Sequence, residues 1–126
     1  VMSTAVFFLH GSGDTGPNLR LYMDSLPLED FEFKTFTQVS NDYGITVYTP
    51  SSGTKKYTPA FGTPANVWFD RSADFNVLGL GDTFEDEEGI RESLGTLLST
   101  VQKMEENYDY IFIGGFIMFI FVHVSI

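Results

Sequence analysis

Ala5 to Leu9 is an unbroken apolar run closed off by Gly11, the pattern of a strand covered on both faces in a parallel sheet. The period then changes. Leu19, Tyr22, Met23 and Leu26 recur at helical spacing behind Pro17, a favourable first helical residue with Thr15 or Gly16 as cap, and Pro27 closes the segment. Phe31, Phe33 and Thr35 alternate with polar residues and predict a short half-exposed strand, followed by turn chemistry from Asn41 to Gly44. Ile45 to Tyr48 predicts another buried strand, stopped by Pro50. From Pro50 to Asp82 the chain is rich in Gly, Pro, Ser, Thr and Asn but also holds Tyr57, Phe61, Trp68 and Phe69, which predicts a long ordered loop of the kind that builds a site.

Acids at Asp82, Glu85, Asp86, Glu87 and Glu88 precede a helix whose Ile90, Leu94, Leu97, Leu98, Val101 and Met104 share a face; Glu87 is expected to pair with Arg91. These acids suit a solvated helix start better than a calcium loop, because Phe84 breaks the alternate ligand spacing. Asn107 to Asp109 ends the helix and Tyr110 to Ile113 begins a further strand. Strand, helix, strand, helix, strand predicts an α/β fold with a mostly parallel sheet and helices on its faces.

With 126 residues the chain is at most one domain. Its formal charge is −10, with eleven acids and three bases after residue 69 against six and four before, so a partner with a phosphate backbone is not expected. There is no cysteine, which removes disulfides, thiolate metal sites and a cysteine nucleophile together. No basic stretch followed by an apolar core opens the chain, and a cytoplasmic location is expected. Val1 in place of methionine leads us to expect lost upstream sequence unless Met2 is the start. Ile111 to Ile126 carries no formal charge apart from what His123 takes up; as a helix it would span about 24 Å, short of a hydrocarbon core of roughly 30 Å. Membrane contact through this tail is therefore a secondary expectation. Phe116 to Val122 is apolar, rich in β-formers and free of proline and charge, a composition that self-pairs.

Gly11-Ser12-Gly13-Asp14-Thr15-Gly16 fits G-x-G-x-x-G between a strand and a helix, so a dinucleotide-binding fold is one alternative. Against it, Asp14 would set a carboxylate in the phosphate cradle, and no ribose-binding acid is obvious. A P-loop would need Lys and Ser or Thr where Pro17-Asn18 stands. His10-Gly11 instead suits a loop that aims a backbone N–H at the oxygen of a tetrahedral intermediate.

The segment Leu9 to Gly16 resembles the L-H-G-x-G-D-T/S-G pattern of the acyl-protein thioesterase and lysophospholipase-like family of α/β-hydrolases. Trp68-Phe69-Asp70 is similar to that family's W-F-D. Ile113-Gly114-Gly115-Phe116 resembles the approach to its G-F-S-x-G-G nucleophile turn, and Tyr48-Thr49-Pro50 with Tyr57-Thr58-Pro59 resemble the segments flanking its middle loop. Glu29 to Asn41 stands out as an insertion or altered region. The resemblance implies residues 1–116 as the N-terminal part of an α/β-hydrolase domain, truncated before the second half of the sheet, and 117–126 as an apolar tail foreign to the family. A complete relative would hydrolyse acyl thioesters or esters, by depalmitoylation or by cleavage of lysophospholipids or short acyl esters, without cofactor or metal.

By the same resemblance, the oxyanion loop comprises His10, Gly11, Gly13 and Asp14, and the oxyanion donors are the backbone N–H groups of Ser12 and, nominally, Met118. The Ser12 side chain lies in that loop and not on a nucleophile elbow. Asp14 is expected to fix the turn and His10 to pack the loop, while Trp68 and Phe69 are candidates for the acyl channel, Trp68 equally for the core. The pattern then breaks. Ile117 occupies the nucleophile position, and Met118-Phe119-Ile120 replaces the small residues of a tight elbow. The triad Asp and His would follow the serine in chain order, and His123 lies too near the elbow to serve. An inactive chain is expected, the alternative being a non-catalytic isoform whose tail binds a membrane or a partner.

Overall fold

The computed structural model describes residues 3–71 and 86–115. Among them a three-stranded parallel sheet has the order β2-β1-β5, built from β1 (Thr4–Leu9), β2 (Ile45–Tyr48) and β5 (Tyr110–Gly115). Between β1 and β2 come helices α1 (Gly16–Ser25) and α2 (Phe36–Asp42). Between β2 and β5 come an antiparallel hairpin, β3 (Thr54–Tyr57) and β4 (Thr63–Asn66), and then helix α3 (Glu87–Met104). The expected α/β architecture is present.

Strand alternation divides the core into two layers. Ala5, Phe7 and Leu9 point toward α3, packing with Leu97, Val101 and Ile111, and Phe7 stacks on Tyr48 of the neighbouring strand at 5.1 Å. Phe8 points the other way, toward Leu19 and Met23 of α1, Phe36 of α2, and Val47. That second face is thinner, and Val6 and Phe8 remain half-buried where full cover was expected. The Tyr48 and Tyr108 hydroxyls lie 2.6 Å apart; this bond first, and burial second, raise the Tyr48 phenol above its usual range.

Four expectations need correction. Residues 31–35 form turns, not a strand: Thr35 caps α2 and closes a capping box with Gln38, a stronger local signal than the Phe31/Phe33 alternation. The supposed long loop contains the hairpin, whose strands are polar and include Pro64, so no strand pattern announced them. Of the residues expected on the apolar helical faces, Tyr22, Leu94 and Leu98 are exposed, as is Leu26 just past the end of α1; Leu19, Met23, Leu97 and Val101 form the buried stripes. Finally, the ion pairs among the described residues are Lys34 with Asp42 and Lys55 with Glu92, and Glu87 does not pair with Arg91. Asp82 and Glu85 lie outside the described residues, as does the tail 116–126. Among the described residues no helix is long and apolar enough to cross a membrane.

Candidate functional site

Leu9 and Gly115 are direct partners at the carboxyl ends of β1 and β5. The chain leaves β1 toward β2 on one side and returns to β5 on the other, so this is the point where strand order reverses. Ligand sites of open α/β sheets form outside the carboxyl ends of the strands at such a point. The glycine-rich loop rises there.

Its conformation follows from local chemistry. Asp14 N–H donates to the Gly11 carbonyl at 3.2 Å, closing a four-residue turn whose third residue, Gly13, has φ +83°. With Ser12 outside the positive-φ region this is a type II turn, which asks for glycine at Gly13. Thr15 caps α1 by accepting the Asn18 N–H, and Pro17 occupies the first turn. Gly13 N–H donates to the Asn66 carbonyl at 2.9 Å, Thr15 N–H to the Asp14 carboxylate at 2.8 Å, and Gly16 N–H to the Ser51 hydroxyl at 2.9 Å. From Gly13 to Asn18, every N–H the backbone offers is thus spent within the chain. A pyrophosphate would find no free cradle there, which disfavours the dinucleotide alternative. The Ser12 N–H has no hydrogen-bond partner among the described residues, and Ser12 is exposed.

Beneath the loop His10 is fully buried. Its Nε2 accepts the Ser52 N–H at 3.0 Å, which places the ring proton on Nδ1, 2.7 Å from the Gly11 carbonyl. Trp68 packs against the imidazole with ring centroids 5.1 Å apart and planes tilted by 32°, and donates its indole N–H to the His10 carbonyl at 2.9 Å. Trp68 packs with Leu9 and Leu97, and Phe69 lies half-buried beside them. His10, Gly11, Ser12, Gly13, Asp14, Trp68 and Phe69 are therefore brought together around the end of β1, whereas Ile117 and Met118 lie outside the described residues. Among the described residues no group of His, Asp or Glu is arranged to hold a metal ion.

Asp70 and Asp86 form a brace that sequence reasoning missed. The Asp70 carboxylate accepts the Thr58 N–H and hydroxyl, each at 2.7 Å, and the Arg71 N–H at 2.8 Å; Asp86 accepts the Asp70 N–H at 2.8 Å while capping α3 through Gly89. The hairpin end, the Trp68-Phe69-Asp70 segment and α3 are tied in series. Burial alone would raise the Asp70 carboxyl, but the Thr58 and Arg71 hydrogen bonds and the charge of Lys56 outweigh it and hold Asp70 below the usual carboxylate range. A depressed folded-state value gives stability that is full above the unfolded carboxyl pKa of about 3.9 and is lost as pH falls through the folded value. The urea midpoint should accordingly fall on acidification below about pH 4, and Asp70→Asn should flatten that dependence; an identical acid limb in the variant would remove Asp70 as its source.

No family profile matches the chain. In sequence it is 29% identical over 117 residues to mouse (Mus musculus) lysophospholipase-like protein 1, covering 92% of this chain and 44% of that protein. The match spans the segments that carry the loop, the Trp-Phe-Asp and the Gly-Gly-Phe patterns. This similarity supports the resemblance to the acyl-protein thioesterase and lysophospholipase-like family of α/β-hydrolases. Structural similarity agrees on the fold. Acyl-protein thioesterase 2 of Zea mays superposes with a TM-score of 0.65 at 22% identity, covering 94% of this chain and 42% of that one. SOBER1 of Arabidopsis thaliana superposes with a TM-score of 0.59 at 20% identity, covering 90% and 49% respectively. The chain thus spans under half the length of each of these relatives. Against the family pattern, the serine expected after Gly115-Phe116 is Ile117.

Proposed function

We propose that residues 1–116 act as the N-terminal part of a serine carboxylic-ester or thioester hydrolase domain and supply the oxyanion-loop half of its site. The observation that carries this reading is the Ser12 N–H, unpartnered among the described residues, at the carboxyl end of β1 and beside the end of β5, after which the family pattern places its nucleophile. An N–H held in place before the reaction stabilises the developing oxyanion without reorganising during the step. The N–H groups that follow it, from Gly13 to Asn18, are spent on fixing the turn and the start of α1. The substrate class is an acyl thioester or ester.

This chain does not perform the reaction itself. Covalent catalysis needs a nucleophilic oxygen at the elbow, and Ile117 offers a hydrocarbon. The full chain should show no turnover of an acyl thioester above background and no labelling by a serine-directed fluorophosphonate. Ile117→Ser alone should not restore turnover, because a serine without a positioned base stays a weak nucleophile. Stoichiometric labelling of the unmodified chain at any serine would contradict the proposal.

A further inference from the structure

We infer that His10 is a positioning residue for the Ser12 N–H, acting through the peptide group that joins Gly11 to Ser12. The inference rests on the reading of Ser12 as an oxyanion donor. The Gly11 carbonyl and the Ser12 N–H are the two ends of one planar unit, so fixing one end aims the other. That carbonyl accepts two hydrogen bonds, from His10 Nδ1 at 2.7 Å and from Asp14 N–H at 3.2 Å, which occupies both its lone pairs. Hydrogen bonds at the oxygen polarise the peptide and make the N–H at its far end a stronger donor. The imidazole cannot swing away: it is fully buried, the Trp68 ring packs against it, and Nε2 is held by the Ser52 N–H at 3.0 Å. That last bond also decides the tautomer, since a nitrogen that accepts cannot carry the proton. The loop after β2 therefore sets, through the two nitrogens of one ring, the direction of a donor on the loop after β1.

Two substitutions separate this role from simple bridging of the loops. His10→Asn sets an amide N–H near the position of Nδ1, keeping the bond to Gly11 and giving up Ser52. His10→Gln reaches the position of Nε2 and can accept from Ser52, but it leaves Gly11 without its side-chain donor. Nuclear magnetic resonance of the full chain should show the ring proton on Nδ1. His10→Asn should leave the Gly11 carbonyl-carbon and Ser12 amide resonances near their original positions, and His10→Gln should move both. Protonation at Nε2 in the unsubstituted chain overturns the proposal even if neither variant folds. Equal displacement by Asn and Gln, or preservation by Gln alone, overturns it as well. In an active chimera of residues 1–116 with the remainder of a relative, His10→Gln should lower kcat on the order of tenfold at unchanged KM, with recovery in His10→Asn. Unchanged kcat in His10→Gln, in a chimera that Ser12→Pro inactivates, would sink the His10 proposal alone. A chimera insensitive to Ser12→Pro would instead bring down the oxyanion reading, leaving the hydrogen-bond result standing.

Discussion

Trp68→Ala is expected to cost about 3–5 kcal/mol of folding stability, the range for deleting a large buried aromatic. Trp68 is 6% exposed, it fills the space among Leu9, Leu97 and the His10 ring, and its indole N–H is a donor to the His10 carbonyl. Truncation opens a cavity beneath the loop and strips a buried carbonyl of its partner. The Ser93 hydroxyl donates to the Trp68 carbonyl at 2.5 Å, a backbone contact that the substitution does not remove, so the damage should centre on the loop and not on α3. Trp68→Phe should recover most of the packing but not the hydrogen bond, and so should fall between. Equilibrium unfolding in urea of the three proteins measures this series. A loss below about 1 kcal/mol for alanine would mean that the indole is not part of the core. In the active chimera, a loss of hydrolysis beyond the loss of stability would assign Trp68 to the acyl channel too.

Gly16→Ala is the second large effect, at about 3 kcal/mol, near the upper end for forced overpacking. A Cβ built on Gly16 would lie 1.9 Å from the Thr49 carbonyl oxygen and 2.9 Å from its carbon, both backbone atoms. A flexible side chain could yield, whereas here the start of α1 must separate from the segment after β2. That separation also stretches the Gly16 N–H bond to Ser51. Gly13 provides the contrast. A Cβ there meets nothing within 4 Å, and its φ of +83° is the sole obstacle, so Gly13→Ala should cost only about 1–2 kcal/mol. Urea midpoints that rank the two substitutions in the opposite order would contradict the close-approach account.

The strands β1, β2 and β5 were legible because apolar runs bounded by glycine or proline have few other readings, and the loop with its cap was legible because Gly13, Thr15 and Pro17 act locally. Helix α2 directly follows the Phe31-Glu32-Phe33 alternation that predicts a strand, because the Thr35 to Gln38 capping box next to it decides the local structure. Strands β3 and β4 carry Lys55, Lys56 and Pro64, and their pairing is fixed by register and not by an apolar face. Which helical leucines are buried depends on what packs against them, and Leu94 and Leu98 show that period alone cannot say. The ties of His10 to Ser52, Trp68 and Gly11 were invisible for a related reason. Two of those three partners lie 42 and 58 residues away, and no local pattern encodes such contacts.

The central claim is that this chain contributes a working oxyanion donor from Ser12. Its most direct test is a chimera in which residues 1–116 are followed by the corresponding remainder of Zea mays acyl-protein thioesterase 2, assayed on an acyl thioester with and without Ser12→Pro. Proline suits the second position of a type II turn, so the substitution deletes the N–H and leaves the loop geometry in place. The account predicts turnover by the chimera and a fall in kcat of about 10²–10³-fold in Ser12→Pro, with the urea midpoint little changed. A folded chimera that hydrolyses the thioester equally well with proline at position 12 would contradict it.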